Sequence, residues 1–348
     1  MSKALADAMS RALANAMKNL KFRIILIALT LGIIALMWVF LSGHVYQTAP
    51  VFAVRSIDTA KYSRDMAMQA LNDPKFDQVI DQQMTEIAQT GANYVAIDTP
   101  YDEQFLPVLK LWVQAARDNN LHIWFRGNFS GWEGWFNYPK IDRPTHQRLL
   151  HDFITKNPDL FEDGDIFTAC PECENGGPGD PRQTGDVDGF RKFMISEYTD
   201  AENDFGNQGK KITTNYDSMN YDVARLVMDR STTEQMGGVV TIDHYVSDPR
   251  ELTKNIDDLA NSSGGQIVVG EFGAPIPDIN GQMNESQQAD WIDRALNGLA
   301  EDKNVIAVNY WTNVGGTTAL WDDSGNPKQA VDTIQKYYNL KKKIKSTF

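Results

Sequence analysis

QIVVGEFGAP (266–275), followed by QQADWIDRALNGLAED (287–302), reads as a strand and then a helix, and it sets how the rest of the chain is parsed. The first stretch is an unbroken Val- and Ile-rich run without polar alternation, the pattern of a parallel strand buried on both faces. The second is an amphipathic helical stretch. The same unit recurs as VFAVRSI (51–57) with FDQVIDQQMTEIAQTG (76–91), NYVAIDT (93–99) with FLPVLKLWVQAARDN (105–119), and LHIWFRG (121–127) with HQRLLHDFITKN (146–157). DIFTAC (165–170) precedes GFRKFMISEYTDAENDFG (189–206), KITTNY (211–216) precedes MNYDVARLVMD (219–229), and GGVVTIDHY (237–245) precedes RELTKNIDDLANS (250–262). NVIAVNYWT (304–312) with KQAVDTIQKYYN (328–339) completes eight units. Eight strand–helix pairs over residues 51–340 predict an α/β fold of the (β/α)8 TIM-barrel kind. An open doubly wound sheet, the competing topology, does not explain why polar residues gather at the C-terminal ends of seven or eight strands. In a barrel those ends share one rim.

The first 45 residues are unlike the rest. Residues 24–41, IILIALTLGIIALMWVFL, carry no charge and follow Lys18, Lys21 and Arg23. At ~1.5 Å per residue the run extends about 27 Å, enough to cross a hydrocarbon core. It is longer than the ~7–15-residue core of a cleavable signal, and no clear A-x-A site follows. The reading is therefore one N-terminal transmembrane helix, an uncleaved signal anchor. Positive charge before the run puts residues 1–23, an amphipathic or disordered stub, in the cytoplasm, and the large domain outside the cell membrane. Residues 42–50 read as a tether and 341–348 as a frayed basic tail.

A net charge of −13 argues against nucleic acid as a partner, because phosphate binding needs a basic stripe. Phosphate-loop, dinucleotide and G-x-S-x-G patterns are missing, so no cofactor is expected. Cys170 and Cys173 form a lone C-x-x-C. With no second pair to complete a zinc site and no other metal-ligand spacing, no metal is expected. The pair reads as a local disulfide, or as two thiols, shaping the loop after the fourth strand.

That loop carries Glu172, with Glu174 two places on, and the seventh strand delivers Glu271 between glycines. Two carboxyl groups at the ends of two strands suit glycosidic-bond cleavage, where one must be protonated and the other ionised. The predicted rim gathers Arg55, Asp58, Asp98, Arg126, Asn128, Glu172, Glu174, Asn215, Asp243, His244, Tyr245, Glu271, Trp311 and Asn313, with Asn175 beside the glutamates. Carboxylates, amides and aromatics of this kind hydrogen-bond hydroxyls and stack on sugar rings, so the expected partner is a carbohydrate.

An acidic residue after strand four, the His244–Tyr245 pair after strand six, GEFG (270–273) and Trp311 closing strand eight together resemble a clan A glycoside hydrolase, closest to the family 5, cellulase-like enzymes. The resemblance spans about residues 50–335 as an architecture. It implies a retaining mechanism with Glu271 as nucleophile and Glu172 as acid/base, Tyr245 bonded to the nucleophile, His244 lining the same subsite and Trp311 as sugar platform. Two positions depart from the pattern. The clan usually has Asn before the strand-four glutamate, where this chain has Pro171 before Glu172 and Cys173 before Glu174. Asp98 stands where relatives often carry an Arg near the nucleophile, leaving Arg126 or Arg55 to serve.

Glu172, the first acid after the strand, is chosen as acid/base, with a raised pKa from its acidic neighbours; Glu174 is a substrate ligand or the alternative acid/base. Spaced by two, they would lie on one side of an extended strand, so parity does not separate them. SGWEGWFNY (130–138) puts Trp132 and Trp135 in a loop that either stacks on sugar or packs beneath the rim. The overall expectation is a membrane-anchored extracytoplasmic glycosidase acting on a poly- or oligosaccharide. Its alternatives are an inactive glycan-binding barrel and a transglycosylase that processes exopolysaccharide.

Overall fold

The computed structural model describes residues 3–41, 46–59 and 64–345, apart from some side chains near the two ends of the chain. The chain divides into two compact units, residues 1–49 with 341–348, and residues 50–340. In the smaller unit the predicted stub and span form one continuous helix, Lys3–Leu41. Among the described residues no helix is long and apolar enough to cross a membrane. The side chains at 25, 26, 28 and 34–41, more than half of the predicted span, lie outside the described residues, as do residues 42–45 of the predicted tether. Tyr46–Pro50 and Lys341–Lys345 pair as a two-stranded sheet, and residues 346–348 of the predicted tail lie outside the described residues.

The larger unit carries eight parallel strands: β1 (Val54–Asp58), β2 (Tyr94–Ile97), β3 (His122–Phe125), β4 (Ile166–Phe167), β5 (Ser218–Asn220), β6 (Val239–Asp243), β7 (Gln266–Phe272) and β8 (Val305–Tyr310). They pair in the order β4-β3-β2-β1-β8-β7-β6-β5. The two edges then meet, since the Phe167 N–H donates to Thr213 O (2.8 Å) and the Glu172 N–H to Ser218 O (2.8 Å). The sheet closes into a cylinder of the expected (β/α)8 kind.

The fifth strand differs from its expected position. Residues 211–216 make only a single bridge, Ile166 to Thr213, and regular pairing starts at Ser218. Side chains replace the ladder between these points. Thr168 Oγ1 donates to Tyr216 O (2.8 Å), and Asp217 Oδ1 accepts from the Ala169 N–H (2.9 Å).

Helices follow the strands and start where capping residues stand. Asp142, Asp186, Asp248 and Asn284 accept from the N–H groups of Thr145, Gly189, Arg250 and Gln287, satisfying donors that a helix start leaves free. The main apolar core lies between sheet and helices, where Ile57, Val95, Ile97, Phe125 and Val240 point outward. A smaller cluster of Val54, Ala96, Trp124, Ile166, Tyr216, Val239, Val268 and Ala307 plugs the cylinder. Side chains alternate between these faces with period two. The inward row that passes through Ala96, Trp124 and Ala307 thus continues upward to Asp98, Arg126 and Asn309.

Candidate functional site

Arg126 sits at the centre of the layer above the apolar plug and is almost fully buried. One guanidinium nitrogen donates to Asp58 Oδ2 (2.9 Å) and Gly270 O (2.8 Å). The other reaches Ser218 Oγ (3.1 Å), Asp243 Oδ2 (2.9 Å) and Glu271 Oε1 (3.0 Å). A buried cation among three carboxylates is pushed still further up, despite the opposing cost of burial. Asn309 Nδ2 adds bonds to Asp58 Oδ2 (3.0 Å) and Gly270 O (2.8 Å).

Glu271 owes its orientation to an irregular register. Val269 pairs with Ile242, but Asp243 pairs with Glu271, so β7 gains one residue on β6 at this point. That extra residue moves Glu271 off the outward row and over the mouth of the cylinder. Gly270 makes the crossing possible, since a Cβ there would lie 2.5 Å from Asp243 Oδ1 and 2.9 Å from Thr241 Cγ2. The Tyr245 hydroxyl donates to Glu271 Oε2 (2.7 Å), so both carboxylate oxygens have a donor. Trp311 stands edge-on to Tyr245, with ring centroids 6.2 Å apart.

Glu172 comes from the opposite side. The chain past β4 is not extended: Glu172 is left-handed (φ 44°) and Cys173–Asn175 form a single 3-10 turn. A disulfide joins Cys170 to Cys173, with Cα atoms 5.1 Å apart, and so brackets Pro171 and Glu172 in a four-residue ring. The turn separates the two glutamates that an extended strand would have kept together. Glu172 lines the same cleft as Glu271, Asp58, Asp98 and Arg126. Glu174 turns inward, and its Oε1 accepts from the Asn220 N–H (2.7 Å) and Nδ2 (2.9 Å). Burial is the largest influence on Glu172 and, with the negative charges of Glu271 and Glu174, pushes its carboxyl up to about 7. The direction agrees with the sequence-based expectation, although desolvation outweighs the neighbouring charge.

Several residues assigned to substrate binding are committed elsewhere. Asn128 is fully buried; its Oδ1 accepts from the Phe129 N–H (2.7 Å) and meets His146 Nε2 (2.8 Å). His244 stacks on Tyr221 (4.3 Å), its Nε2 accepts from Asn255 Nδ2 (2.9 Å), and burial lowers its pKa to about 4. Trp132 packs on Phe193 (5.1 Å) and donates its indole N–H to Cys173 O (3.2 Å), so it braces the glutamate loop from below the rim. Arg55 bonds Phe52 O and Gly91 O, and Asn215 bonds Gly237 O, all at the opposite end of the barrel. Asn313 turns outward to Glu86. The exposed Asn175 donates to Glu172 Oε2 (3.0 Å), and Trp135 does line the cleft.

Three contributors escaped the sequence reading. Asn309 could have been found, because it shares the inward parity of Trp311 on β8. Glu133, in the cleft between two tryptophans of the aromatic loop, is held up at about 8, chiefly by burial. Arg64, lying 5.5 Å over the Trp135 ring, follows β1 in a segment with no periodic signal. Among the described residues no group of acids, histidines or cysteines is arranged to hold a metal ion.

No family model matches the chain, and no curated protein does. Solved structures match its fold. A GH2 β-galacturonidase from Eisenbergiella tayi aligns with TM-score 0.55 and 12% identity over 84% of this chain and 54% of its own. A β-glucuronidase from Ruminococcus gnavus in complex with D-glucuronic acid gives 0.52 and 13% over 75% and 46%. A fungal β-1,4-galactanase gives 0.54 and 13% over 82% of this chain and 99% of its own. The chain thus spans about half the length of the uronidases but nearly all of the galactanase. At these identities the likeness establishes a barrel fold shared with glycoside hydrolases.

Proposed function

We propose that residues 50–340 form a glycoside hydrolase of the clan A kind, cleaving O-glycosidic bonds of a poly- or oligosaccharide with retention. One observation carries this reading. Two carboxyl groups share a cleft in opposite surroundings, Glu172 desolvated and raised to about 7, Glu271 held between Arg126 and Tyr245. Glu271 attacks the anomeric carbon while Glu172 gives its proton to the departing glycosidic oxygen. The covalent glycosyl–enzyme is then opened by water, whose proton returns to Glu172. Arg126 and Tyr245 orient the nucleophile, and Trp311 and Trp135 offer ring faces to the sugar. The fold shared with galactanase and uronidases supports the reaction class.

The test is trapping with 2-deoxy-2-fluoro glycosides bearing a good leaving group. Peptide mapping should find the sugar on Glu271, and NMR of early product should show the retained anomer. A substrate turned over with inversion, or a label on another residue, would overturn the assignment. Turnover unchanged in both Glu172→Gln and Glu271→Gln would remove the hydrolase reading altogether, in favour of a glycan-binding barrel.

The same proposal places the barrel outside the cell, tethered through residues 24–41. Its support is the uncharged run with basic residues before it. Recovery of the full chain in the soluble fraction without detergent would count against it.

A further inference from the structure

We propose that the cleft accepts a sugar residue bearing a free amine, a hexosamine, with Asp98 receiving the ammonium. The assignment rests on the glycosidase reading of the same cleft and names its substrate class. Asp98 stands at the top of β2 on the inward row, is only 8% exposed, and lines the cleft. Among the described residues its Oδ1 has no hydrogen-bond partner. The other carboxyl groups of the lining are engaged: Asp58 by Arg126 and Asn309, Glu133 by Asn128, Glu172 by Asn175, and Glu271 by Tyr245 and Arg126. A buried carboxyl oxygen without a donor is costly, and a ligand that supplies the donor relieves that cost.

The charge of the cleft selects among possible donors. Among the described residues its lining holds five carboxyl groups, Asp58, Asp98, Glu133, Glu172 and Glu271, against the two guanidinium groups of Arg64 and Arg126. Arg126 is spent on Asp58, Asp243 and Glu271, and Arg64 bonds Asp65 while its charge also acts on Asp98 and Glu133. Any sugar hydroxyl could donate to Asp98, but an amine also takes up the proton that burial keeps on this carboxyl and pairs with the charge left behind. A uronic acid would bring a sixth carboxylate to the same space. Burial, with Asp58 and Glu271 nearby, pushes the Asp98 carboxyl well up against the opposing pull of Arg64 and Arg126.

The experiment uses the full chain carrying Glu271→Gln, so that binding is read without turnover. Isothermal titration at ~150 mM salt, where long-range attraction is screened, compares tetramers of glucosamine, N-acetylglucosamine and galacturonate. The glucosamine tetramer should bind at least tenfold more tightly than either of the others, and adding Asp98→Asn should bring its advantage over the acetylated tetramer close to one. Equal affinities, a preference for galacturonate, no binding of any tetramer, or a glucosamine preference that survives Asp98→Asn each overturn the proposal. In the last case the attraction is the general negative charge of the chain. A melting curve checks that Asp98→Asn folds; Asp98→Ser is read in the same way if it does not. Glucosamine binding that stands while the wild-type chain cleaves nothing sinks the hydrolase reading and leaves this one intact.

Discussion

The proton on Glu172 should set the alkaline limit of the reaction. Its carboxyl is raised from 4.5 to about 7, which corresponds to roughly 3 kcal/mol in favour of the protonated form. At pH 6 about nine-tenths of the enzyme then carries the catalytic proton, and at pH 8 about one-tenth, so kcat/KM should fall close to tenfold per pH unit above 7. The dependence should be steep for an alkyl or sugar aglycone, which cannot leave without a proton. It should be shallow for a dinitrophenyl aglycone, which can. The assay is kcat/KM between pH 5 and 9 for both substrates, with Glu172→Gln alongside wild type. In that variant the limb should vanish, and the loss should be on the order of a hundredfold or more for the poor leaving group but small for the good one. A limb near 7 that persists in Glu172→Gln would refute the reasoning and shift attention to Glu133, held at about 8 in the same cleft. Loss of the limb in Glu174→Gln but not in Glu172→Gln would make Glu174 the acid.

Three further perturbations follow from the geometry. Gly270→Ala puts a methyl group 2.5 Å from Asp243 Oδ1, and such overpacking should cost about 1–3 kcal/mol in urea denaturation while lowering kcat through displacement of Glu271. Replacing both Cys170 and Cys173 by Ala opens a four-residue ring, so the stability loss should stay near 2 kcal/mol while kcat falls more steeply than KM rises, as steady-state kinetics would reveal. Asp217 is raised from 3.8 to about 8, chiefly by burial. Between those values the unfolded chain has released a proton that the folded chain keeps, so this group costs stability progressively as pH rises from about 4 to 8. Asp217→Asn should flatten that decline in thermal melts across the same range, and an unchanged slope would show that the carboxyl is not the source.

The barrel was legible because its strands are buried on both faces and so lack alternation, a signal that survives without knowledge of their partners. Glu271 and Tyr245 were legible because they adjoin such strands, although a shift of register and not strand parity turns Glu271 over the mouth. Glu172 and Glu174 were harder, since two-residue parity assumes an extended chain. The Cys170–Cys173 bridge and a left-handed residue replace it with a turn. Asn128 and His244 are held by other side chains for a different reason. Their position near a strand end was read correctly, but an amide or imidazole is claimed by whichever partner lies nearest, here His146 and Asn255, on the long helices that follow the same strands. Trp132 belongs with them, since a Gly-rich loop needs a large apolar surface to rest on, and Gly176 and Gly177 lie against its ring.

A single guanidinium gives the two glutamates of one cleft different surroundings. Arg126 reaches the mouth from β3 and places its donors on Asp58, Asp243 and Glu271, while Asn175 and Asn220 supply only amides to Glu172. Under the proposed mechanism Glu271, in direct contact with the cation, is the one placed to attack, and Glu172, raised chiefly by burial and without that contact, keeps the proton. Arg126→Met should therefore impair both roles together. Asp58, Asp243 and Glu271 would be left buried without their cation, a loss on the order of 3–5 kcal/mol when a buried pair is broken. In whatever fraction folds, trapping at Glu271 by a fluoro-glycoside should slow by orders of magnitude. Trapping at the wild-type rate would mean that Tyr245 alone holds the nucleophile and that Arg126 serves only the barrel.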